Sequence, residues 1–252
     1  VALEDPDDAD GDGISGRVNW VMAADFVSER HVGGGAGPHV GRFSRKSQVS
    51  SLLEQVSAAY QQDMGVTSDF IPEENFQSQH TATVSIGDIA PDPEISANTV
   101  LETVMYVRLL QPPARGRITA EVESGEALFA SLQCVACHVP TLRTGDHELS
   151  ALANQEAALY SDLLIHDMGE GLADHRPDGD ADGYEWRTAP LWGTRLVPEF
   201  LGGQEFYLHD GRATSLDEAV LLHGGEAQAA RDGFAALSST ERDAVVAFLK
   251  SL

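Results

Sequence analysis

The chain has 252 residues, 42% of them apolar, enough for one large domain or two ordinary ones with a packed core. Its 40 acidic residues against 16 basic ones give a net charge of −24, and so acidic a surface repels phosphate backbones and argues against a nucleic-acid partner. No apolar run reaches membrane-spanning length, and two cysteines three positions apart exclude a disulfide scaffold.

The abrupt start at VALEDPDDADGDG carries no export signal and reads as a mature or truncated piece. Residues 1–40 are rich in Asp and Gly and read as loop. Within them Asp8, Asp10, Asp12 and the Ile14 carbonyl match the first half of an EF-hand-type calcium loop, although Asn19 stands where the closing Glu belongs. Ser47 to Asp63 is predicted helical, with Val49, Leu52, Leu53, Val56 and Tyr60 at helical spacing and Gly65 as a stop. Residues 65–95 show little periodicity. Ala97 to Leu110 is a second helix, ended by Pro112-Pro113, and QPPARGR divides the chain into domains 1–111 and 112–252.

Beyond that boundary, Ser124 to Leu132 is a short helix running into the cysteines. A further helix is expected between Ala151 and His166, closed by Gly169. Residues 170–213 read mostly as loop; in them Asp178, Asp180, Asp182 and Tyr184 repeat the calcium-like order, with an ordinary acidic Asp-Gly turn as the rival reading of both loops. Ser215 to His223 is a helix with a capping box from Ser215 to Glu218 and a Gly224-Gly225 stop. Ser238 and Glu241 form a second box before an amphipathic C-terminal helix. No strand is predicted, so the fold class read from the sequence is all-α and loop-rich.

Cys134-Val135-Ala136-Cys137-His138 carries the chemistry. In a CxxCH motif the two thiols become thioethers to haem vinyl groups and the adjacent histidine lies under the iron. A thioredoxin-like CxxC needs a βαβ context and a zinc site needs two more close ligands; both are absent from the sequence pattern. A helix before the motif, loops after it and a final helix give the layout of a cytochrome c domain with one covalent haem c. Spacing leaves the sixth iron ligand open: His223 and Met168 lead, His166 and His209 follow. Trp186, Trp192 and Tyr207 flank the haem approach as relay or packing residues, and Arg187 and Arg212 are candidate haem-propionate partners or surface ion pairs.

GEALFASLQCVACHVPTLRT, SDLLIHDMGEGLADH, EWRTAPLWGTRL and FYLHDGRATSLDEAVLLHGGEA together resemble the di-haem oxidoreductase family, once called thiol oxidoreductases and related to bacterial di-haem cytochrome c peroxidases. DPDDADGDGISGRVN and SLLEQVSAAYQQDMGVTSDF extend the resemblance to nearly the whole chain. It implies that the axial position downstream of Leu208-His209-Asp210-Gly211 falls on His223, giving His138/His223 ligation with Met168 as alternative. It also implies a calcium ion near the domain interface and a second CxxCH upstream, where the peroxide-reacting haem sits. This sequence has no second CxxCH, so residues 1–111 resemble a partial helical domain packed against a cytochrome c-like haem domain. The implied function is the electron-transfer portion of a periplasmic, peroxidase-like di-haem oxidoreductase, partnered by an electron-donor protein or a second haem domain. The rival functions are a non-catalytic electron carrier and a calcium-stabilised binding module whose haem is structural.

Overall fold

The computed structural model describes residues 2–28, 36–76 and 88–252. Residues 29–35 and 77–87, inside stretches expected to be aperiodic, lie outside the described residues. The chain divides into two compact units: one of Val1–Asn19, Arg45–Ser47 and Gln111–Leu252, the other of Trp20–Ser44 and Gln48–Leu110. No helix among the described residues is long and apolar enough to cross a membrane.

The smaller unit contains the hairpin β1 (Trp20–Val21) and β2 (His39–Val40), then helices α1 (Leu52–Met64) and α2 (Ala97–Arg108). Each helix begins on a serine: Ser51 accepts from Leu53 N and Ser96 from Thr99 N, satisfying otherwise orphaned amide donors. Gly65 ends α1 at φ 65°, a left-handed conformation that glycine adopts without strain. Leu53 and Val56 of α1 pack on Val100 and Val104 of α2, and the Tyr60 hydroxyl lies 3.0 Å from Thr103 Oγ1.

The larger unit is built on α3 (Ala120–Ser131) and the C-terminal helix α7 (Ser239–Leu249), with α4 (Val197–Phe200), α5 (Leu216–Leu221) and α6 (Gln228–Ala236) between them in sequence. Helices α3 and α7 cross in backbone contact: a methyl group on Gly125 would collide with the Ala244 carbonyl. Phe129 and Phe248 meet there with ring centroids 5.2 Å apart, in a core that also holds Val122, Tyr160, Phe234 and Val245. The Ser238–Glu241 capping box forms in full at the start of α7. At α5 the box is displaced: Ser215 accepts from Glu218 N, but the Glu218 carboxylate reaches back to Thr214 N and Oγ1.

The fold is not all-α. Three two-stranded antiparallel sheets accompany seven α-helices among the described residues. The largest correction concerns residues 151–166, where a helix was expected. Instead β4 (Glu156–Ala157) pairs with β3 (Leu142–Arg143), and β5 (Ile165–Asp167) pairs with β6 (Glu185–Arg187). Asn154, Tyr160 and Leu163 all adopt positive φ, which a right-handed helix cannot contain. Ser161 and Asp162 hold the irregular path by accepting from Leu163 N and Leu164 N, so local side-chain bonds outcompete the helix that the Ala and Leu content favours.

Candidate functional site

Helix α3 delivers the CxxCH segment. After it, Gln133 turns left-handed (φ 64°) and Cys134–Ala136 forms a 3₁₀ turn. The irregular segment after β4 then wraps this turn: Tyr160 N donates to Pro140 O, Ser161 N to Val139 O and Asp162 N to Cys137 O. His138 Nδ1 donates to the Tyr160 carbonyl at 3.0 Å, which leaves Nε2 with its lone pair. Burial pushes His138 down to about 4, with the nearby His223 imidazole acting in the same direction, so the ring is neutral as a metal ligand must be. Burial also pushes the Cys134 thiol up to about 11.

His223 follows the end of α5. Its Nδ1 donates to Ala219 O at 2.7 Å, and burial lowers its affinity for a proton. The second histidine thus presents the same tautomer as the first. Just beyond it the chain is pressed against the end of β5 and Met168, which follows it: a Cβ on Gly224 would lie 3.0 Å from Met168 O, and one on Gly225 would collide with Asp167 O. Gly225 also has φ 54°. Cys134, Cys137, His138, Met168 and His223 all line one cavity of about 750 Å³, within the range of small-molecule and cofactor sites.

The other expected residues are placed as follows. Arg187 lines the cavity and is partly buried, which lowers its affinity for a proton. Arg212 lines it too, but donates to Gly171 O at 2.6 Å and pairs with Asp210. Trp186, Trp192 and Tyr207 are in the cavity wall. Trp186 donates to Leu172 O and stacks on His209 at 5.1 Å, while His209 Nε2 donates to Arg187 O.

His166 lines the cavity with both ring nitrogens engaged: Nε2 lies 2.8 Å from Asp162 Oδ2 and Nδ1 2.7 Å from Glu226 Oε2. Nδ1 is also 3.7 Å from Cys137 Sγ. Burial disfavours the imidazolium, but its hydrogen bonds to Asp162, Cys137 and Glu226 outweigh it and push His166 up to about 12. A ring that donates from both nitrogens has no lone pair for iron. Asp162, Glu226 and the Tyr160 carbonyl were not marked by the sequence: Glu226 is 60 residues from His166 and Tyr160 is 22 from His138, while Asp162, four residues from His166, lies in the stretch read as helix.

In the first acidic loop, the carboxylates of Asp5, Asp8 and Asp10 come within 4.8 Å of one another. Asp8, Asp10 and Asp12 also accept from Gly13 N, Asp12 N and Ile14 N, and Asp12 and Ile14 line the cavity. In the second loop the oxygens meet cations of the chain itself. The Asp180 carbonyl accepts from Arg17 Nη2 and the Asp182 carbonyl from Lys46 Nζ at 2.8 Å. Lys46 is 1% exposed, and its ammonium also reaches Asp174 Oδ1 and Arg176 O, each at 2.6 Å. Asp178 O accepts from Asn19 Nδ2, and Tyr184 O accepts from Met168 N.

Two thiols and two imidazoles with matching tautomers around one partly enclosed cavity make a donor set that suits haem iron and its attachment. No curated protein matches the chain. A family model described as "Di-haem oxidoreductase, putative peroxidase" matches residues 1–252, the whole length, and the chain belongs to that family of haem oxidoreductases.

Proposed function

We propose that this chain carries one covalent haem c, joined through Cys134 and Cys137, with His138 and His223 as axial iron ligands. It then serves as the electron-transfer portion of a periplasmic, peroxidase-like di-haem oxidoreductase. The observation that carries this reading is the pair of half-buried histidines, each donating Nδ1 to a backbone carbonyl, in the wall of the cavity that also holds both thiols. Haem bound there supplies a one-electron iron couple. The chain's own residues hold the ligand tautomers, exclude water and offer Arg187 and Arg212 to the propionates. With one CxxCH in the sequence, the second haem of a di-haem enzyme comes from another segment or partner. Calcium is proposed at the acidic loop around Asp8, Asp10 and Asp12, where chelation should lower thermal stability and added calcium restore it.

The test is spectroscopic. Ferric protein should be low-spin and lack the weak long-wavelength sulfur-to-iron band. If that band is present, survives His223→Ala and is lost in Met168→Ala, then Met168 is the ligand and the assignment falls. A single six-coordinate haem would also suit a non-catalytic electron carrier. Peroxidase activity with a donor protein once a second haem domain is supplied separates the two.

A further inference from the structure

The two ligand-bearing segments are far apart in sequence, and the cavity wall contains a structure that joins them. His166 is 3% exposed and sits between two carboxylates that are themselves largely buried, Asp162 and Glu226, whose side chains are 3% and 11% exposed. The Asp162 end is fastened to the haem-attachment turn, because Asp162 N donates to Cys137 O at 2.9 Å. The Glu226 end is fastened to the His223 side. Glu226 is three residues beyond His223, in the 3₁₀ turn Gly225–Ala227. Its Oε1 accepts from Asp167 N at 3.2 Å and from Ser15 Oγ at 2.9 Å, and its Oε2 accepts from Ser15 N at 3.1 Å. Gly16 closes over the ring from a third segment, where any side chain would strike the imidazole.

We infer that Asp162, His166 and Glu226 are positioning residues that clamp the His223 segment to the His138 segment and so fix the separation of the two iron ligands. The path runs from Cys137, next to His138, through Asp162, His166 and Glu226 to Gly225 and Gly224, next to His223. Its three non-covalent links are all hydrogen bonds: Asp162 N to Cys137 O, and His166 to Asp162 and to Glu226. A buried, fully satisfied charged cluster contributes little net stability, because desolvation offsets attraction, but its charge-assisted bonds are short and directional. Apolar packing would have filled the same space with less geometric definition. The clamp therefore serves ligand geometry, and losing it should loosen His223 from the iron while haem stays covalently attached.

This inference rests on the His138/His223 reading, and the experiment separates the two. Haem-loaded wild type, Glu226→Ala, Glu226→Gln and Ser15→Ala proteins are compared for ferric spin state, cyanide association rate, thermal midpoint and haem stain after denaturing electrophoresis. Wild type should be low-spin and slow to take cyanide. Glu226→Ala should bind cyanide about tenfold faster, the equivalent of roughly 1.4 kcal/mol, with a visible high-spin fraction and unchanged haem stain. Glu226→Gln keeps an acceptor for the ring and should return most of the way to wild type. Ser15→Ala removes one Oε1 contact only, should fold normally, and should shift cyanide binding in the same direction by less. Low-spin wild type with no change of spin state or cyanide rate in Glu226→Ala and Ser15→Ala overturns the clamp; if Glu226→Ala does not fold, Ser15→Ala decides alone. High-spin, cyanide-open wild type overturns the ligand assignment, and the clamp with it.

Discussion

The two units treat buried polar groups in contrasting ways. In the larger unit nearly every buried polar side chain is answered: His166 by two carboxylates, Lys46 by three oxygens, Asn19 by the carbonyls of Lys46 and Asp178. In the smaller unit Ser50 and Ser57 are fully buried, yet their hydroxyls, like Glu54 Oε2, have no hydrogen-bond partner among the described residues. Glu54 and Ser57 lie three positions apart on α1, and Ser50 just precedes the helix. Ser47 and Arg242 are the exceptions in the larger unit, and neither lines the cavity. Unanswered buried hydroxyls thus fall mainly in the smaller unit, where Ser51, Thr67 and Ser68 are nonetheless buried and hydrogen-bonded.

That contrast can be broken at several points. The largest effect belongs to Cys134→Ala with Cys137→Ala, which should abolish haem stain on a denaturing gel; stain that survives, or wild-type haem that leaves in acid-acetone, contradicts covalent attachment. Next is Phe248→Ala, which removes a ring packed on both Phe129 and Tyr160 and should cost about 3–5 kcal/mol in denaturant unfolding. Leu53→Ala in the other unit should cost about 2–5 kcal/mol, and the haem spectrum should stay as in wild type. A spectrum that changed as much as in Phe248→Ala would erase the distinction between the units. Lys46→Met leaves two carbonyls without their donor while the exposed Asp174 carboxylate stays in water, and an expected loss of about 1–3 kcal/mol would appear in the thermal midpoint.

The smallest effect concerns pH, and here the units differ in cause rather than sign. His166 is raised by its partners and Glu54 by burial. In both, the folded state holds the proton more tightly than the unfolded state, so stability falls as pH rises through the window between the two affinities. For His166 that window runs from the ordinary histidine range up to about 12, so its contribution should be lost progressively from neutral pH upward. For Glu54 it starts at the ordinary carboxylate range, and Glu54→Gln should flatten the slope of stability against pH there. An unchanged slope would mean that the carboxyl finds water that the protein contacts do not reveal.

What could be read from the sequence was local. The CxxCH turn, the Ser215-capped helix ending at His223 and the C-terminal helix each depend on neighbours a few positions away, so their residues announce them. The clamp does not: Asp162 is four positions from His166, but Glu226 is 60 from His166 and 211 from Ser15. The stretch 151–166 misled for a related reason. Its Ala and Leu content favours a helix in isolation, and only the wrap around Cys137 to Pro140 rewards the left-handed turns at Tyr160 and Leu163. The helix Gln228–Ala236 went unforecast because it follows Gly224-Gly225 and itself contains Gly233, both of which read as breaks.

Lys46 has a consequence for how the protein meets its surroundings. Its ammonium fills the oxygen-lined space formed by Asp174, Arg176 and Asp182, and its other face lies 4.7 Å from the Trp186 ring. A counter-ion supplied by the polypeptide has a fixed local concentration that no dilution or dialysis can lower. A divalent ion arriving from solution would have to evict a tethered competitor there, whereas at Asp5, Asp8 and Asp10 it would meet only carboxylates and backbone amides. Two loops of almost the same spelling are therefore expected to respond differently to the ionic composition of the medium, one buffered from within and the other answering to what the environment provides.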